Sequence, residues 1–102
     1  MANVRLSYTL PSARTDGKAL PISEIRHVSV FLSADNGANF AKVADVPPSQ
    51  NEYIQTDLEA GLWVFRLIVE DILGQKSSAV DKSVSIIPAV PNPVSNVQSF
   101  VE

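Results

Sequence analysis

Hydrophobic and polar residues alternate along most of this chain, and the alternation is most regular between Gly61 and Gly74. Successive side chains of a β-strand point to opposite faces, so residues two positions apart share a face. One face of this stretch is apolar: Trp63, Phe65, Leu67, Val69. The other face is mixed: Val64, Arg66, Ile68, Glu70. The stretch therefore predicts a strand of about nine residues in the middle of a sheet.

Shorter alternating stretches predict five further strands. We expect these strands at residues 4–10, 25–32, 40–46, 54–58 and 79–87. Turn signals rich in Gly, Pro, Asn and Asp separate them. No window has the 3.6-residue apolar period of an amphipathic helix. Short strands without helices predict an all-β fold, an antiparallel β-sandwich.

The alternation also predicts which side chains face the core. In the first strand they are Val4, Leu6, Tyr8, Leu10. In the strand at 54–58 they are Ile54, Thr56, Leu58. In the last strand they are Val80, Lys82, Val84, Ile86. The charged Lys82 in this row indicates an edge strand, where a long side chain can reach water.

Composition narrows the class of protein. A chain of 102 residues with 45% hydrophobic and 19% charged residues is typical of one globular domain. The net charge is −3 and the eight basic residues are scattered, which argues against a nucleic-acid surface and an electrostatic membrane anchor. There is no cysteine and no apolar run of transmembrane length. If Met1 is the natural start, we expect folding in a cytoplasm; if the chain is part of a longer protein, that inference does not apply.

The C-terminal segment has a different character, so we divide the chain into a sandwich at 1–87 and a tail at 88–102. Prolines are dense at its start and predict a stiff, extended connector: Pro88, Pro91, Pro93. Apolar residues follow in a segment that favours strand formation: Val94, Val97, Phe100, Val101. These four residues are candidates for partner binding.

The central strand and the turn after it contain a regularly spaced motif: Gly61, Trp63, Phe65, Leu67, Val69, Asp71, Gly74, Ser77. With this motif the chain resembles a fibronectin type III module of the immunoglobulin-like β-sandwich class. Residues 4–11 resemble the second strand of the family, with Tyr8 where Trp is usual. Trp63 stands where the family has Tyr, whose hydroxyl ties down a corner of the sandwich, and offers only an indole N–H for that bond.

The resemblance also indicates a missing strand. Only three residues precede Val4, so the first strand of the family has no counterpart, whereas residues 91–102 resemble the opening strand of a next module. The strand at 4–10 would then leave unpaired backbone groups at a sheet edge. We hypothesise that residues 94–101 complete a sheet by strand addition, in a neighbouring molecule more easily than in their own, which would build a homo-oligomer. The alternative is a disordered or merely docked tail.

Three features could carry chemistry, and each has a structural explanation. Residues 33–40 resemble the Asp-box hairpin of sialidase-like propellers, but a propeller needs several copies, so we expect a turn held by Asp35. His27 is the only histidine and predicts a surface side chain rather than a zinc site. Glu70 and Asp71 are adjacent and should point to opposite faces, so they do not form an acid–base pair. We expect no enzyme, no metal and no cofactor.

The outer face of the central strand allows two interpretations. Val64, Ile68 and Phe31 are all expected to point outward there. Neighbouring side chains could cover them, or they could form an exposed apolar patch that meets a partner.

The resemblance implies a structural or adhesive function. Short, cysteine-free modules of this kind without a secretion signal resemble small virion proteins of tailed bacteriophages, which are made in the host cytoplasm and decorate a capsid or tail. Other virion subunits would then be the partners. The alternative is an accessory module of a bacterial extracellular enzyme or adhesin, acting as a spacer or binding carbohydrate. Carbohydrate is not favoured, because the candidate platform aromatics are few: Tyr53, Phe31, Phe100.

Overall fold

The computed structural model describes residues 2–87 and 91–101. The first part of the predicted connector, residues 88–90, lies outside the described residues, as do Met1 and Glu102. Within the described residues there are six strands: β1 (Ala2–Ser7), β2 (Ile25–Ser33), β3 (Ala41–Val46), β4 (Glu52–Leu58), β5 (Gly61–Asp71), β6 (Val80–Ile86). A single 3-10 turn at Ile22–Glu24, which the sequence did not predict, follows Pro21. The all-β prediction is confirmed.

The strands form two antiparallel sheets that pack face to face. The larger sheet has the order β3-β2-β5-β6, and the smaller sheet pairs β1 with β4. The central position predicted for β5 is confirmed, because it lies between β2 and β6. The edge position predicted for β6 is confirmed as well.

The core lies between the two sheets. Leu6 and Leu58 come from the smaller sheet, and Val28, Val30 and Phe65 come from the larger one. Phe65 and Val30 are completely buried. The apolar row predicted for β5 packs into this core: Trp63, Phe65, Leu67, Val69. Full burial of one such large apolar side chain stabilises the fold by about 1.5–3 kcal/mol, so this row is a main source of stability.

The inward row predicted for β4 is wrong at its first two members. Ile54 is 50% exposed and Thr56 is exposed too, whereas Tyr53 packs against the core and Leu58 is buried. The register of β4 against β1 shifts between Gln55 and Leu58. Within this interval Asp57 has a φ of 59°. This is a β-bulge, in which an extra residue changes the face to which the following side chains point. The Asp57 N–H donates to Oδ1 of Asn3 at 3.3 Å, which fixes the bulge.

The inward row predicted for β6 is also wrong at one end. Val84 and Ile86 pack against the core as expected, but Val80 is 68% exposed. The larger sheet has four strands and the smaller has two among the described residues, so part of the larger sheet has no strand across from it. Val80 is exposed because the smaller sheet has too few strands to cover this part of the larger one.

Candidate functional site

The tail exposes all four of its apolar side chains. Val94, Val97, Phe100 and Val101 are between 77% and 104% exposed, and no strand is formed at 91–101. The molecule measures 80 × 25 × 22 Å with a radius of gyration of 20.5 Å, whereas a compact chain of this length would have about 13 Å. The tail therefore projects from the sandwich and leaves apolar surface in water.

One side of β1 offers unpaired backbone groups. β4 pairs with one side of β1, and in the described part of the chain no strand pairs with the other. The N–H of Tyr8 donates to the carbonyl oxygen of Asn51 at 3.1 Å, so its backbone groups face the β4 side. Alternate residues of an antiparallel strand direct these groups in opposite directions. The backbone groups of Arg5, Ser7 and Thr9 therefore point away from β4, and we call them the free edge.

An apolar cleft lies beside the free edge. It has a volume of about 190 Å³, and we call it the edge cleft; its main lining residues are Tyr8, Leu10, Leu67, Val69, Val80. The hydroxyl oxygen of Tyr8 is buried and has no hydrogen-bond partner among the described residues. Burial raises the pKa of Tyr8. A buried polar group without a hydrogen bond lowers the stability of the fold by about 1–3 kcal/mol. The Tyr8 hydroxyl in the cleft is such a group, and a hydrogen bond from another chain would stabilise it.

Sequence reasoning did not identify the edge cleft, although it predicted the free edge. Tyr8, Leu10 and Val80 were assigned to the core because they stand in inward-facing rows. The signal that could have found them is the free edge itself. Because β1 pairs on one side only among the described residues, the strip of core next to its other side is left uncovered, and the inward residues there become a surface.

The outer face of the larger sheet is covered. Val64 is only 6% exposed, and Phe31 and Ile68 are half-buried. The Arg66 guanidinium lies 4.0 Å from the centroid of the Phe40 ring. These three side chains therefore do not form an exposed apolar patch, and of the two interpretations cover by neighbours is the better one. Partner binding by Val64, Ile68 and Phe31 stays an untested prediction.

The hairpin between β2 and β3 is held by side-chain bonds, as predicted. Asp35 accepts from the Ser33 hydroxyl at 2.6 Å and from the N–H and Nδ2 of Asn39 at 2.9 and 2.8 Å. These bonds, that of Ser33 first, lower the pKa of Asp35 to about 2. Asn36 and Gly37 have φ angles of 60° and 89°, in the left-handed region that such residues tolerate. The Asp-box resemblance thus corresponds to a structural turn.

The turn after β5 is organised by Asp71. Its carboxylate accepts from Nη1 of Arg14 at 2.8 Å and from the N–H groups of Leu73 and Gln75 at 3.0 and 2.8 Å. The bond from Arg14, followed by the backbone bonds, lowers the pKa of Asp71 against the opposing effect of desolvation. Asp71 is buried, whereas Glu70 lies on the outer face beside Arg26. The two carboxylates diverge, as predicted.

His27 lies beside two carboxylates on the outer face. Its Nε2 is 3.5 Å from Oδ1 of Asp45 and 3.8 Å from Oε2 of Glu70.

Among the described residues, no group of three or more His, Cys, Asp or Glu side chains could hold a metal ion. Nor does the described part of the chain contain a helix long and apolar enough to cross a membrane.

One further concavity is shallow, and polar residues form most of its lining. It is formed by the consecutive residues 49–54 before and within β4, with a volume of about 460 Å³. The hydroxyl of Tyr53 bonds to Oε1 of Gln55 at 2.6 Å, and its ring packs against the core. The ring is therefore not presented as a flat platform to a ligand.

Comparison with known proteins adds no family assignment. No family model matches the chain, and no curated protein matches it. The free edge, the edge cleft and the exposed tail are therefore the features from which a function can be inferred.

Proposed function

We propose that this chain is a fibronectin type III-like module with a non-catalytic, structural role. The strand arrangement supports the proposal. In immunoglobulin-like sandwiches, strands B and E share one sheet and strands C, F and G share the other. The pairing of β1 with β4 and the order β2-β5-β6 in the larger sheet follow that scheme. β3 would be an added C′ strand, and the position of strand A beside β1 would be vacant.

Two side-chain bonds support the same assignment. The indole N–H of Trp63 donates to the carbonyl oxygen of Glu59 at 3.0 Å, in the manner of the corner bond that Tyr makes in related sandwiches. The Ser77 hydroxyl oxygen accepts from the N–H of Val69 at 2.9 Å. These two motif residues, one at the start of β5 and one after its end, thus serve the fold, which supports a structural role.

The main support for the proposed role is that the same molecule has a free strand edge on β1 and a tail whose apolar side chains are exposed to water. The unpaired N–H and C=O groups of an exposed edge strand can pair with another chain, and soluble monomers normally cover such an edge. Together with the resemblance stated above, this supports a component of a tailed-bacteriophage virion, either a capsid decoration or a tail protein. Its partners are other virion subunits, and it reaches the particle after synthesis in the host cytoplasm.

Particle purification tests this role. Assembled particles of a bacteriophage that carries this coding sequence are separated from free protein on a density gradient. Each fraction is then searched by mass spectrometry for the tryptic peptide at 43–66. We expect this peptide in the particle band at a constant ratio to the major capsid subunit. Its presence in the lysate together with its absence from the particle band would refute the virion role.

The carbohydrate-binding alternative has less support. Of the three aromatic candidates, Phe31 and Tyr53 are half-buried and only Phe100 is exposed. The polar concavity at 49–54 is the place where a glycan could bind. Titration of isotope-labelled protein with soluble glycans would favour the alternative if saturable amide shifts were confined to these residues. We expect no such shifts.

A further inference from the structure

We propose that residues 97–101 of one copy pair, antiparallel, with residues 6–10 of a second copy and cover its edge cleft. This inference rests on the proposed structural role and specifies how copies join. Both halves of the contact are present in the same chain. The free edge supplies backbone donors and acceptors, and the tail supplies an unpaired segment with exposed apolar side chains.

The direction of the tail favours a second copy. Ala2 pairs with Leu58 and Ile86 pairs with Gly61, so β1 begins and β6 ends at the same end of the sandwich. A strand antiparallel to β1 must begin beside Leu10, at the opposite end. The rise from Ala2 to Leu10 is about 26 Å, at about 3.3 Å per residue.

Insertion into the tail's own sandwich would demand a tight reversal. A connector returning from Ile86 to the level of Leu10 would use about eight fully extended residues. About two of the ten residues between Ile86 and Val97 would remain to cross between the sheets and reverse direction. In a second copy, the tail simply continues in the direction in which β6 already runs. Pairing between copies therefore needs neither a connector that returns along the sandwich nor a reversal of direction.

The backbone of the tail marks where the donated strand begins. Asn96 has a φ of 54°, in the left-handed region, which interrupts extended structure. The residues after it can form an unbroken strand of the same length as residues 6–10. In that strand Val97, Ser99 and Val101 share one face, and Gln98 and Phe100 share the other.

The edge cleft selects one register. If Ser99 lies opposite Tyr8, its hydroxyl can pair with the buried Tyr8 hydroxyl, which has no partner among the described residues. Val97 then lies opposite Leu10 and enters the cleft, and Val101 covers Leu6. A shift by two residues would place Val97 opposite Tyr8 and leave the hydroxyl unpartnered. The chemistry of the cleft therefore assigns Ser99 to Tyr8.

The first test compares variants of the full chain by light scattering over a range of concentrations. Ser7→Pro removes an N–H of the free edge and leaves the bonds to β4 intact, whereas Ser7→Ala keeps the N–H. Val97→Arg places a charge in the cleft, whereas Gln98→Arg places the same charge on the opposite face of the donated strand. Circular dichroism confirms that each variant remains folded.

The expected pattern is specific. The wild-type chain should rise above its monomer mass of 11.0 kDa with increasing concentration, and Ser7→Ala and Gln98→Arg should do the same. Folded Ser7→Pro and Val97→Arg should stay monomeric. A wild-type chain that is monomeric at every concentration would overturn the proposal. So would association that Ser7→Pro and Val97→Arg leave unchanged.

Disulfide trapping tests the register, since the chain has no cysteine of its own. Chains with Ser7→Cys are mixed with chains with Phe100→Cys. These two positions lie opposite each other in the assigned register. Opposed residues of this kind have Cα atoms about 5.5 Å apart, within disulfide range. We expect a covalent dimer in this mixture. A dimer formed instead between Ser7→Cys and Gln98→Cys chains would overturn the register.

The particle experiment separates this inference from the proposed function. If Ser7→Pro protein still joins virions at the wild-type ratio, the structural role stands and strand donation is refuted as its means. If wild-type chains associate through the edge in solution but never enter particles, the virion role is refuted and strand donation stands.

Discussion

The indole nitrogen of Trp63 lies 3.0 Å from the carbonyl oxygen of Glu59, to which it donates a hydrogen bond. This bond links the start of β5 to the connection that follows β4. The same ring packs against the core. Trp63 therefore holds the start of β5 against the connection through which the chain passes from the smaller sheet to the larger one.

Replacement of Trp63 by Phe should destabilise the protein modestly. Phe retains an aromatic ring for the core but has no donor for Glu59, and a net hydrogen bond contributes about 0.5–1.5 kcal/mol. Urea unfolding followed by circular dichroism should give a lower midpoint with an unchanged slope. Trp63→Ala, which also removes the packing, should lower the midpoint considerably further. Equal midpoints for Trp63→Phe and wild type would show that the bond contributes nothing.

Truncation of Phe65 should have a far larger effect. Its ring is completely buried between the two sheets, and Phe→Ala substitutions at such sites cost about 3–5 kcal/mol. Chemical denaturation should show this loss directly. Phe100→Ala is the matched control, because Phe100 is exposed in the tail and its truncation should leave the stability of the monomer unchanged. A mild effect of Phe65→Ala would contradict the assigned core.

Stability should fall in acid as Asp35 becomes protonated. Its pKa of about 2 in the folded state lies below the ordinary value of 3.8. A lowered folded pKa gives stability that is present above the unfolded pKa and is lost as pH falls through the folded pKa. The urea midpoint should therefore decline between about pH 4 and pH 2.

Asp35→Asn provides the control for this decline. The variant should be less stable than wild type at neutral pH, because it cannot hold the Ser33 hydroxyl and the Asn39 N–H as a carboxylate does. Its acid decline should be shallower than that of wild type. Parallel pH profiles of the two proteins would show that Asp35 does not contribute to the pH dependence.

Replacement of Asp71 by Asn should loosen the turn after β5. The carboxylate holds the N–H groups of Leu73 and Gln75 and the guanidinium of Arg14 together. Amide hydrogen exchange at Leu73 and Gln75 should become faster, while exchange at the central strand residue Phe65 should change much less. Uniform acceleration at all three amides would indicate global destabilisation instead of a local effect at the turn.

Features that depend on neighbouring residues could be predicted from the sequence. The inward row of β5 follows from the two-residue period of an extended backbone, which holds whatever strands lie beside it. The hairpin at 33–40 is similar, since Asp35 finds its partners Ser33 and Asn39 within four positions. For the tail, the sequence predicted an extended connector followed by four apolar side chains, and it left open whether these side chains are paired or exposed.

Tertiary structure alone decided which inward residues were covered. The phase of β4 changed at a bulge formed against Asn3, more than fifty positions away along the chain. The exposure of Val80 and the edge cleft beside Tyr8 depend on how many strands stand opposite each sheet. The period of a strand is a short-range property of its backbone, whereas register and cover arise from contacts between distant segments. For this reason the sequence alone determined the strands, and only the packed sheets decided which apolar side chains stay exposed.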